Sequence, residues 1–213
     1  MDISTFLVSV YCIVDDNMPE NRLRKRGPQP RLSDSEVITM EIVGEFLGID
    51  TDKGLYLFFK RHYGDWFPAI RNIHRTTFTR QAANLWRVKE GIWQKLLQQM
   101  HFDRQISLVD SFPMPVCRFA RAYRCRRLRA HAAFGYDEVA RQTFLGFRAH
   151  LRVCWPGVIV DTCLAAANIH ELTVAEELFE TVQGWALGDR NYWSPALAEK
   201  SRSQGLTWLT PYK

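Results

Sequence analysis

The sequence predicts an α/β fold in which a small all-helical region precedes a mixed β-sheet with flanking helices. Apolar residues recur with helical spacing up to residue 103, whereas short alternating or continuously apolar runs, which are typical of strands, prevail from residue 104 onward. The length of 213 residues suits one or two small domains. Hydrophobic residues make up 46% and charged residues 24%, which indicates a folded globular chain and argues against a disordered or fibrous one.

The first region is predicted to be helical. Apolar side chains in Asp2–Asp15 follow the i, i+3, i+4 pattern of one buried helix face. Ser33 and Glu36 form a capping-box pattern, in which each side chain accepts a hydrogen bond from the other residue's backbone N–H, so a helix is predicted from there to Gly48. The basic, proline-containing segment Asn17–Leu32 between them is predicted to be a linker. Two further helices are predicted, over Asp52–His62 and Thr76–Met100.

The second region is predicted to contain five strands and two helices. Pro156 and Gly157 are a turn signal between the second and third strands, so these two strands are predicted to form a hairpin. The predicted strands are Gln105–Val109, Thr143–Trp155, Val158–Leu164, Gly184–Gly188 and Leu206–Leu209. The predicted helices are Leu172–Val182, which precedes the fourth strand, and Pro195–Ser203, which precedes the fifth.

The order of these elements favours one type of sheet. Three opening strands followed by alternating helices and strands match a ribonuclease-H-like mixed sheet better than a doubly wound one. Right-handed crossovers would then place the later strands beside the first strand. The sequence therefore predicts two domains, residues 1–103 and residues 104–213.

The basic residues are mostly arginine and are clustered. The chain has a net charge of +5 and a pI near 9.0, and 21 of its 28 basic residues are arginine, whose planar guanidinium suits bidentate contact with phosphate. Such clusters indicate binding to a polyanion, although a solvated surface is the alternative. One tract comprises Arg118, Arg121, Arg124, Arg126, Arg127 and Arg129, and a second group comprises Arg22, Arg24, Lys25, Arg26 and Arg31.

Several classes of protein are disfavoured by the sequence. The longest nearly apolar run, Phe6–Val14, is much shorter than the roughly 18 residues that cross a bilayer. The acidic residues Asp2, Asp15 and Asp16 around this run do not fit a secretory signal. The five cysteines include no C-x-x-C pair, which argues against a disulfide framework and a zinc ribbon. We therefore expect a soluble cytoplasmic protein with no membrane partner.

Two aspartates are candidates for metal binding. Asp110 and Asp189 each follow a short apolar run that is predicted to be a buried strand. Carboxylates at the ends of neighbouring strands can converge on Mg²⁺ or Mn²⁺, because hard divalent cations prefer oxygen ligands. A single aspartate at a strand end is more often a turn or cap residue, and that alternative stays open for each of them.

Five segments of the sequence together form a recognisable pattern, namely Leu108–Val116, Cys117–Arg126, Gly146–Leu151, Ala167–Glu171 and Ala186–Trp193. On these segments the chain resembles bacterial insertion-sequence transposases of the Asp-Asp-Glu (DDE) type, over essentially its whole length. The resemblance implies that residues 1–103 are a helical region for DNA binding and dimerisation, and that residues 104–213 are a ribonuclease-H-like catalytic domain. It also implies that Asp110 and Asp189 are the first two catalytic aspartates and ligands for two Mg²⁺ or Mn²⁺ ions.

The activity implied by the resemblance is DNA transposition through two-metal phosphoryl transfer. In that chemistry one ion activates the attacking oxygen and the other stabilises the leaving oxygen. Asp110 would contact both ions and Asp189 one of them. Water nicks the transposon end, and the freed 3′-OH then attacks target DNA. The implied partners are double-stranded DNA, namely the terminal inverted repeats and the target, and a second copy of the chain in a homodimer. The arginine tract is the expected DNA-binding element.

The resemblance departs from the family pattern at the C-terminal end. The family's third catalytic carboxylate is a glutamate on a helix after the last strand, whereas this sequence stops at Lys213, just past the last predicted strand. We therefore expect this glutamate to lie beyond Lys213, and the catalytic domain to be incomplete and impaired in activity. Two alternatives stay open: a non-catalytic DNA-binding remnant that inhibits the full-length transposase, and a nuclease unrelated to mobile elements.

Other polar residues near these motifs have competing interpretations. His170 and Glu171 match a histidine–acid pair in the family, and helix capping is favoured over a role near metal or DNA. Asp161 is expected on an exposed strand face, although it could approach the site. Asp137 is expected in a turn. Tyr192 is expected to pack in the core, with stacking on a DNA base as the alternative.

Overall fold

The computed structural model describes residues 2–20 and 28–211. The chain divides into two compact units, Met1–Met100 and His101–Lys213. No helix in the described ranges is both long and apolar enough to cross a membrane. Most of the second basic group, namely Arg22, Arg24, Lys25 and Arg26, lies outside the described residues.

The first unit is a set of α-helices around one apolar core. The core includes Phe59, Ile70 and Phe78, which are fully buried. A short 3-10 helix, Pro68–Asn72, lies between the third and fourth α-helices. The α-helices in the described part of this unit are α1 (Ile3–Asp16), α2 (Asp34–Phe46), α3 (Asp52–His62), α4 (Arg75–Asn84) and α5 (Trp86–Gln99).

The N-terminus of α2 is fixed by the predicted capping box. The Ser33 N–H donates to Glu36 Oε2 at 2.6 Å, and the Glu36 N–H donates to Ser33 Oγ at 3.1 Å. The residue before it, Leu32, is fully buried, and Gln81 Nε2 donates to its carbonyl oxygen at 2.9 Å. The end of the predicted linker is therefore part of the core of the first unit.

The predicted helix Thr76–Met100 is wrong as a single element, because the chain turns at Leu85 between α4 and α5. The Leu85 N–H donates to the Ala82 carbonyl oxygen at 3.2 Å, which closes a four-residue turn. The turn buries Leu85, which is 2% exposed. Trp86, which helical spacing assigned to the core, is 56% exposed.

The second unit is built on a six-stranded sheet. Its strands are β1 (Asp103–Arg118), β2 (Ala133–Asp137), β3 (Gln142–Trp155), β4 (Val158–Ala166), β5 (Gly184–Leu187) and β6 (Leu206–Leu209). Helix α6 (Glu171–Leu178) connects β4 to β5, and helix α7 (Pro195–Arg202) connects β5 to β6. Short 3-10 helices follow β1, over Phe119–Arg124, and β5, over Arg190–Tyr192.

The pairing of the strands is that of a ribonuclease-H-like mixed sheet, which confirms the predicted fold class. The path through the sheet is β2-β3-β1-β5-β6, and β4 also pairs with β3. Strands β1, β3 and β4 are antiparallel, and the predicted hairpin between β3 and β4 is present. Strand β5 is parallel to β1, and β6 is parallel to β5, so the later strands lie beside the first strand as predicted.

The first strand is much longer than the predicted Gln105–Val109. It continues through Pro113 and Pro115, although proline cannot donate to a ladder. Strand β5 pairs with β1 only as far as Leu108, so one edge of β1 is open beyond that point. The two prolines are two residues apart, so their nitrogens point to the same edge, and the open edge requires no N–H donors.

The segment that forms β2 was expected to be a loop before the long strand, and that expectation is wrong. Its glycine, Gly135, allows close packing, because a Cβ there would lie 2.7 Å from the Cβ of Ala167. Phe134 and Tyr136 on either side of it are both 51% exposed. Asp137 ends the strand and accepts two backbone N–H bonds in the following turn, which confirms its predicted turn role.

Helices α6 and α7 pack against one face of this sheet. Val109 of β1 and Ala186 of β5 contribute to a core with Val174, Phe179 and Leu197 of the helices. Because successive strand residues point to opposite faces, the neighbours of Val109 lie on the other face. Val109 is 4% exposed, whereas Leu108 is 42% exposed. The face of the sheet opposite α6 therefore carries accessible side chains.

We predict that Ser33→Ala destabilises the first unit by about 1 kcal/mol, because it removes the acceptor for a helix N-terminal N–H. Urea denaturation of the full chain, followed by far-UV circular dichroism, measures the change. Glu36→Gln is the matched control, since its amide oxygen still accepts the Ser33 N–H, and its effect should be smaller. Equal denaturation midpoints for Ser33→Ala and the unaltered chain would contradict the assigned role of the capping box.

Candidate active site

Asp110 lies inside β1 and not at its end, because the strand continues to Arg118. Its side chain is exposed, and its Oδ1 accepts a hydrogen bond from the backbone N–H of Ser111 at 2.7 Å. The predicted position at the end of a strand is therefore wrong for Asp110. What ends near it is the ladder between β1 and β5, whose last pair joins Leu108 to Leu187.

Asp189 lies two residues after the end of β5, close to where the sequence indicated. It is exposed and caps the following 3-10 helix, since its Oδ1 accepts the backbone N–H of Asn191 at 2.8 Å. A capping role alone is the ordinary function of an aspartate at such a place. Its position relative to Asp110 is what makes it a candidate site residue.

The register of the parallel pair relates the two aspartates. Leu108 is opposite Leu187, an offset of 187 − 108 = 79 residues. The same offset relates Asp110 and Asp189, since 189 − 110 = 79. Both aspartates thus follow the last ladder pair by two residues, at the point where the two strands separate.

The two carboxylates have the donor chemistry for a divalent cation. Each uses Oδ1 to accept a backbone N–H, and within the described residues neither Oδ2 has a hydrogen-bond donor. Exposed carboxylate oxygens fit Mg²⁺ or Mn²⁺. No three histidine, cysteine or acidic side chains of residues 2–20 and 28–211 are grouped closely enough to hold a metal ion.

A partly buried polar network lies next to Asp110. Glu171 Oε1 accepts the Ser111 hydroxyl at 2.7 Å and Arg148 Nη1 at 3.1 Å. Arg148 Nη1 also lies 3.3 Å from Ser111 Oγ, and its Nη2 donates to the Tyr136 carbonyl oxygen at 3.1 Å. The Glu171 and Arg148 side chains are only 13% and 22% exposed. Ser111 and Arg148 lie in the segments Leu108–Val116 and Gly146–Leu151 that carry the family resemblance, but the sequence analysis assigned neither of them a role.

His150 lies in the same part of the sheet as this network, opposite Ser111 in the β1–β3 register. Its side chain is fully buried, and neither ring nitrogen has a hydrogen-bond partner in the described part of the chain. Burial lowers the pKa of His150, and the positive charge of Arg148 lowers it further, whereas Glu171 and Asp110 oppose the change.

Tyr192 packs in the core, as expected, and is 1% exposed. Its ring is nearly parallel to that of Trp208, with centroids 6.4 Å apart. Burial raises the pKa of Tyr192, and the negative charges of Glu171, Asp110 and Asp189 raise it further, whereas the Ser111 hydroxyl opposes the change.

Two other candidates have local structural roles. His170 is the N-cap of α6, and its Nδ1 accepts the Leu172 N–H at 3.2 Å, which confirms the favoured capping interpretation. Asp161 is on β4, where its side chain is 47% exposed and its Oδ2 lies 3.8 Å from Arg152 Nη2. The expected exposed strand position is therefore confirmed for Asp161.

The basic tract consists of six arginines, all of which are exposed. None of them forms an ion pair with a carboxylate among the described residues. The guanidinium of Arg124 lies over the Tyr123 ring, 5.0 Å from its centroid, and Arg129 Nη1 donates to the Tyr123 carbonyl oxygen at 3.2 Å. The tract lies at the end of β1 and in the 3-10 helix and turn that follow, and its members are Arg118, Arg121, Arg124, Arg126, Arg127 and Arg129.

Comparisons with known proteins identify the second unit. A family model described as a transposase DDE domain matches residues 101–213, which is more than half of the chain. A comparison with curated protein sequences found no match. A cryo-EM structure of the piggyBac transposase synaptic complex with hairpin DNA is similar at a TM-score of 0.46 and 10% sequence identity. That similarity covers 99% of this chain and 48% of the piggyBac chain, so this chain spans about half of its length.

We predict that His150 makes the stability of the protein depend on pH. Its pKa in the folded chain is below the ordinary value of 6.5, so below that pH the unfolded chain binds a proton that the folded chain does not. The free energy of unfolding should therefore fall as the pH falls through about 6.5. His150→Leu should show a shallower fall in urea denaturation between about pH 7.5 and about pH 5.5.

His131→Gln supplies the control for this prediction, because it replaces an exposed histidine of the same unit and leaves the buried His150 in place. If His150→Leu has the same pH dependence as the unaltered chain, buried His150 does not titrate in the way we describe.

Proposed function

The chain belongs to the DDE transposase domain family, and we propose that it is the transposase of a bacterial insertion sequence. In this proposal it binds transposon-end DNA in the cytoplasm, in association with the nucleoid, and acts as a homodimer. It cleaves the transposon ends and transfers them to target DNA. The first unit, residues 1–100, serves DNA binding and dimerisation, and the second unit carries the chemistry.

The observation that supports this proposal most strongly is the shared register of Asp110 and Asp189. Two exposed carboxylates follow the last β1–β5 ladder pair by the same number of residues, in a domain that belongs to this family. Each has one oxygen without a hydrogen-bond donor in the described residues. Exposed carboxylate oxygens of this kind can hold the divalent cations that phosphoryl transfer uses.

In the proposed reaction Asp110 and Asp189 hold the divalent ions, Mg²⁺ or Mn²⁺, two of them in the full site. When bound, such ions lower the pKa of an attacking hydroxyl or water and neutralise charge on the phosphate. The protein's own contribution is to hold the two carboxylates in place. The Ser111 and Asn191 backbone N–H groups do this by fixing one oxygen of each.

We predict that Asp110→Asn and Asp189→Asn each reduce metal-dependent nicking of transposon-end DNA by at least about 100-fold, because each removes a charged ligand. The substrate is a duplex with the inverted repeats that flank the coding sequence, and gel electrophoresis of end-labelled strands measures nicking. Asp161→Asn is the matched control, since Asp161 is a half-exposed aspartate of the same sheet that pairs with Arg152.

The outcomes of this experiment separate the candidate functions. Nicking that is equally fast with scrambled repeats would favour a nuclease unrelated to mobile elements. Repeat-specific binding without nicking by the unaltered chain would favour a non-catalytic DNA-binding protein that inhibits a full-length transposase. Undiminished nicking by Asp110→Asn would contradict the proposed site.

The basic tract is the proposed DNA contact of the second unit. Its six exposed arginines have no carboxylate partners in the described residues, so their charges are available to phosphates. Arginine favours bidentate contact with phosphate over the point contact of lysine. The stacking of Arg124 on Tyr123 limits the freedom of that side chain before DNA binds.

We predict that Arg124→Ala, Arg126→Ala and Arg127→Ala each weaken DNA binding and lower the salt dependence of the binding constant. The slope of log K against log salt concentration should decrease by about 1 for each arginine that contacts a phosphate. Fluorescence anisotropy with labelled duplexes at several salt concentrations measures the slope. Arg202→Ala, at an exposed arginine on α7, is the control, and unchanged slopes in all three tract variants would exclude the tract as a DNA contact.

A further inference from the structure

We propose that Ser111 is a positioning residue that links helix α6 to the carboxylate of Asp110. The inference rests on the proposed function, because it assigns Asp110 to the metal site. Ser111 makes its contacts in two directions: its backbone N–H donates to Asp110 Oδ1 at 2.7 Å, and its hydroxyl donates to Glu171 Oε1 at 2.7 Å. One residue therefore contacts both the candidate ligand and the first residue of α6.

The two contacts lie on different faces of the sheet. Val109 and Ser111 point toward α6, as the core position of Val109 and the contact with Glu171 show. Because strand residues alternate, Asp110 points to the opposite face. The hydroxyl of Ser111 thus holds the strand from the covered face, while its N–H orients a carboxylate on the accessible face.

The Ser111–Glu171 hydrogen bond stabilises a part of β1 that has no β5 partner. The ladder with β5 ends at Leu108, so from Asp110 onward β1 is paired only with β3. A strand that is paired on one side can move more easily than one that is paired on both sides, unless other contacts stabilise it. The Ser111–Glu171 hydrogen bond ties that edge to α6 three residues after the ladder ends.

Glu171 is itself fixed by a second partner. Arg148 of β3 donates to Glu171 Oε1 at 3.1 Å, and its other nitrogen donates to the Tyr136 carbonyl oxygen of β2 at 3.1 Å. Both charged side chains are mostly buried, so their interaction is less screened by solvent than a surface pair. The network therefore spans β1, β2, β3 and α6, and Ser111 is its point of contact with the candidate metal ligand.

This role predicts an effect on metal binding that does not depend on measuring catalysis. Residues that orient metal ligands typically change metal affinity by about 10–100-fold when they are removed. Ser111→Ala should weaken Mn²⁺ binding to the full chain by that factor in isothermal titration calorimetry with Mn²⁺ alone. Ser111→Thr keeps the hydroxyl on a β-branched side chain, which suits a strand. Its affinity for Mn²⁺ should be within a few-fold of that of the unaltered chain.

A second readout uses no metal. The Ser111 amide should be protected from hydrogen exchange in the unaltered chain. Glu171→Ala removes the acceptor of the Ser111 hydroxyl, and loss of that one hydrogen bond should speed exchange of the Ser111 amide by about tenfold. Glu177→Ala is the matched control, because Glu177 is an exposed acid of the same helix outside the network. Thermal unfolding of each variant verifies that it is folded. If Ser111→Ala does not fold, Glu171→Gln replaces it in the Mn²⁺ titration, and a smaller loss of affinity is expected.

The two readouts distinguish failure of this inference from failure of the proposed function. If Asp110→Asn abolishes Mn²⁺ binding but folded Ser111→Ala binds Mn²⁺ normally, the positioning role is wrong and the proposed site stands. If the unaltered chain binds no Mn²⁺, the proposed metal site is wrong and the exchange measurement decides the positioning role. Unchanged exchange of the Ser111 amide in Glu171→Ala would then overturn it.

Discussion

The short parallel ladder between β1 and β5 is the constraint on which the candidate site depends. Only three residue pairs, ending at Leu108 and Leu187, connect these strands. That pairing brings together two chain segments separated by 79 residues and sets their register. A shift of one residue would turn every side chain of β1 to the other face of the sheet, and Asp110 would then point toward α6. The position of the first carboxylate is thus a consequence of backbone hydrogen bonding elsewhere in the sheet.

The end of that ladder also explains the concentration of polar groups beside it. Beyond Leu108, β1 has no β5 partner, so the polar groups along that edge of the strand need other contacts. Glu171, Arg148 and Ser111 supply one network, and buried His150 and Tyr192 lie close to it. Most buried polar groups in proteins have hydrogen-bond partners, and this network supplies them for Glu171, Arg148 and Ser111.

The sequence predicted the order of elements well because most of them have local signals. The capping box at Ser33, the turn at Gly157 and the amphipathic pattern of α1 each depend on neighbouring residues only. The extent of β1 could not be predicted in this way, because Pro113 is acceptable only at an edge that β5 leaves open. Strand β2 was missed for a similar reason, since Gly135 is required by close packing against Ala167, which lies 32 residues away in the sequence.

The candidate aspartates could be identified from sequence, but their surroundings could not. Each aspartate follows an apolar run, which is visible in the sequence, and a resemblance to a known family gave them their roles. The link from Ser111 to Glu171 joins residues 60 positions apart, and only the packing of α6 on the sheet brings them together. Contacts of this kind have no periodicity that a sequence pattern can reveal.

The most direct test of the central claim is to locate the metal. Crystals of the full chain soaked in Mn²⁺ give anomalous diffraction from the ion alone. The account predicts an anomalous peak within coordination distance of the Oδ2 atoms of both Asp110 and Asp189, and the loss of that peak in Asp110→Asn. A Mn²⁺ peak at other residues, with none beside these two carboxylates, would contradict it.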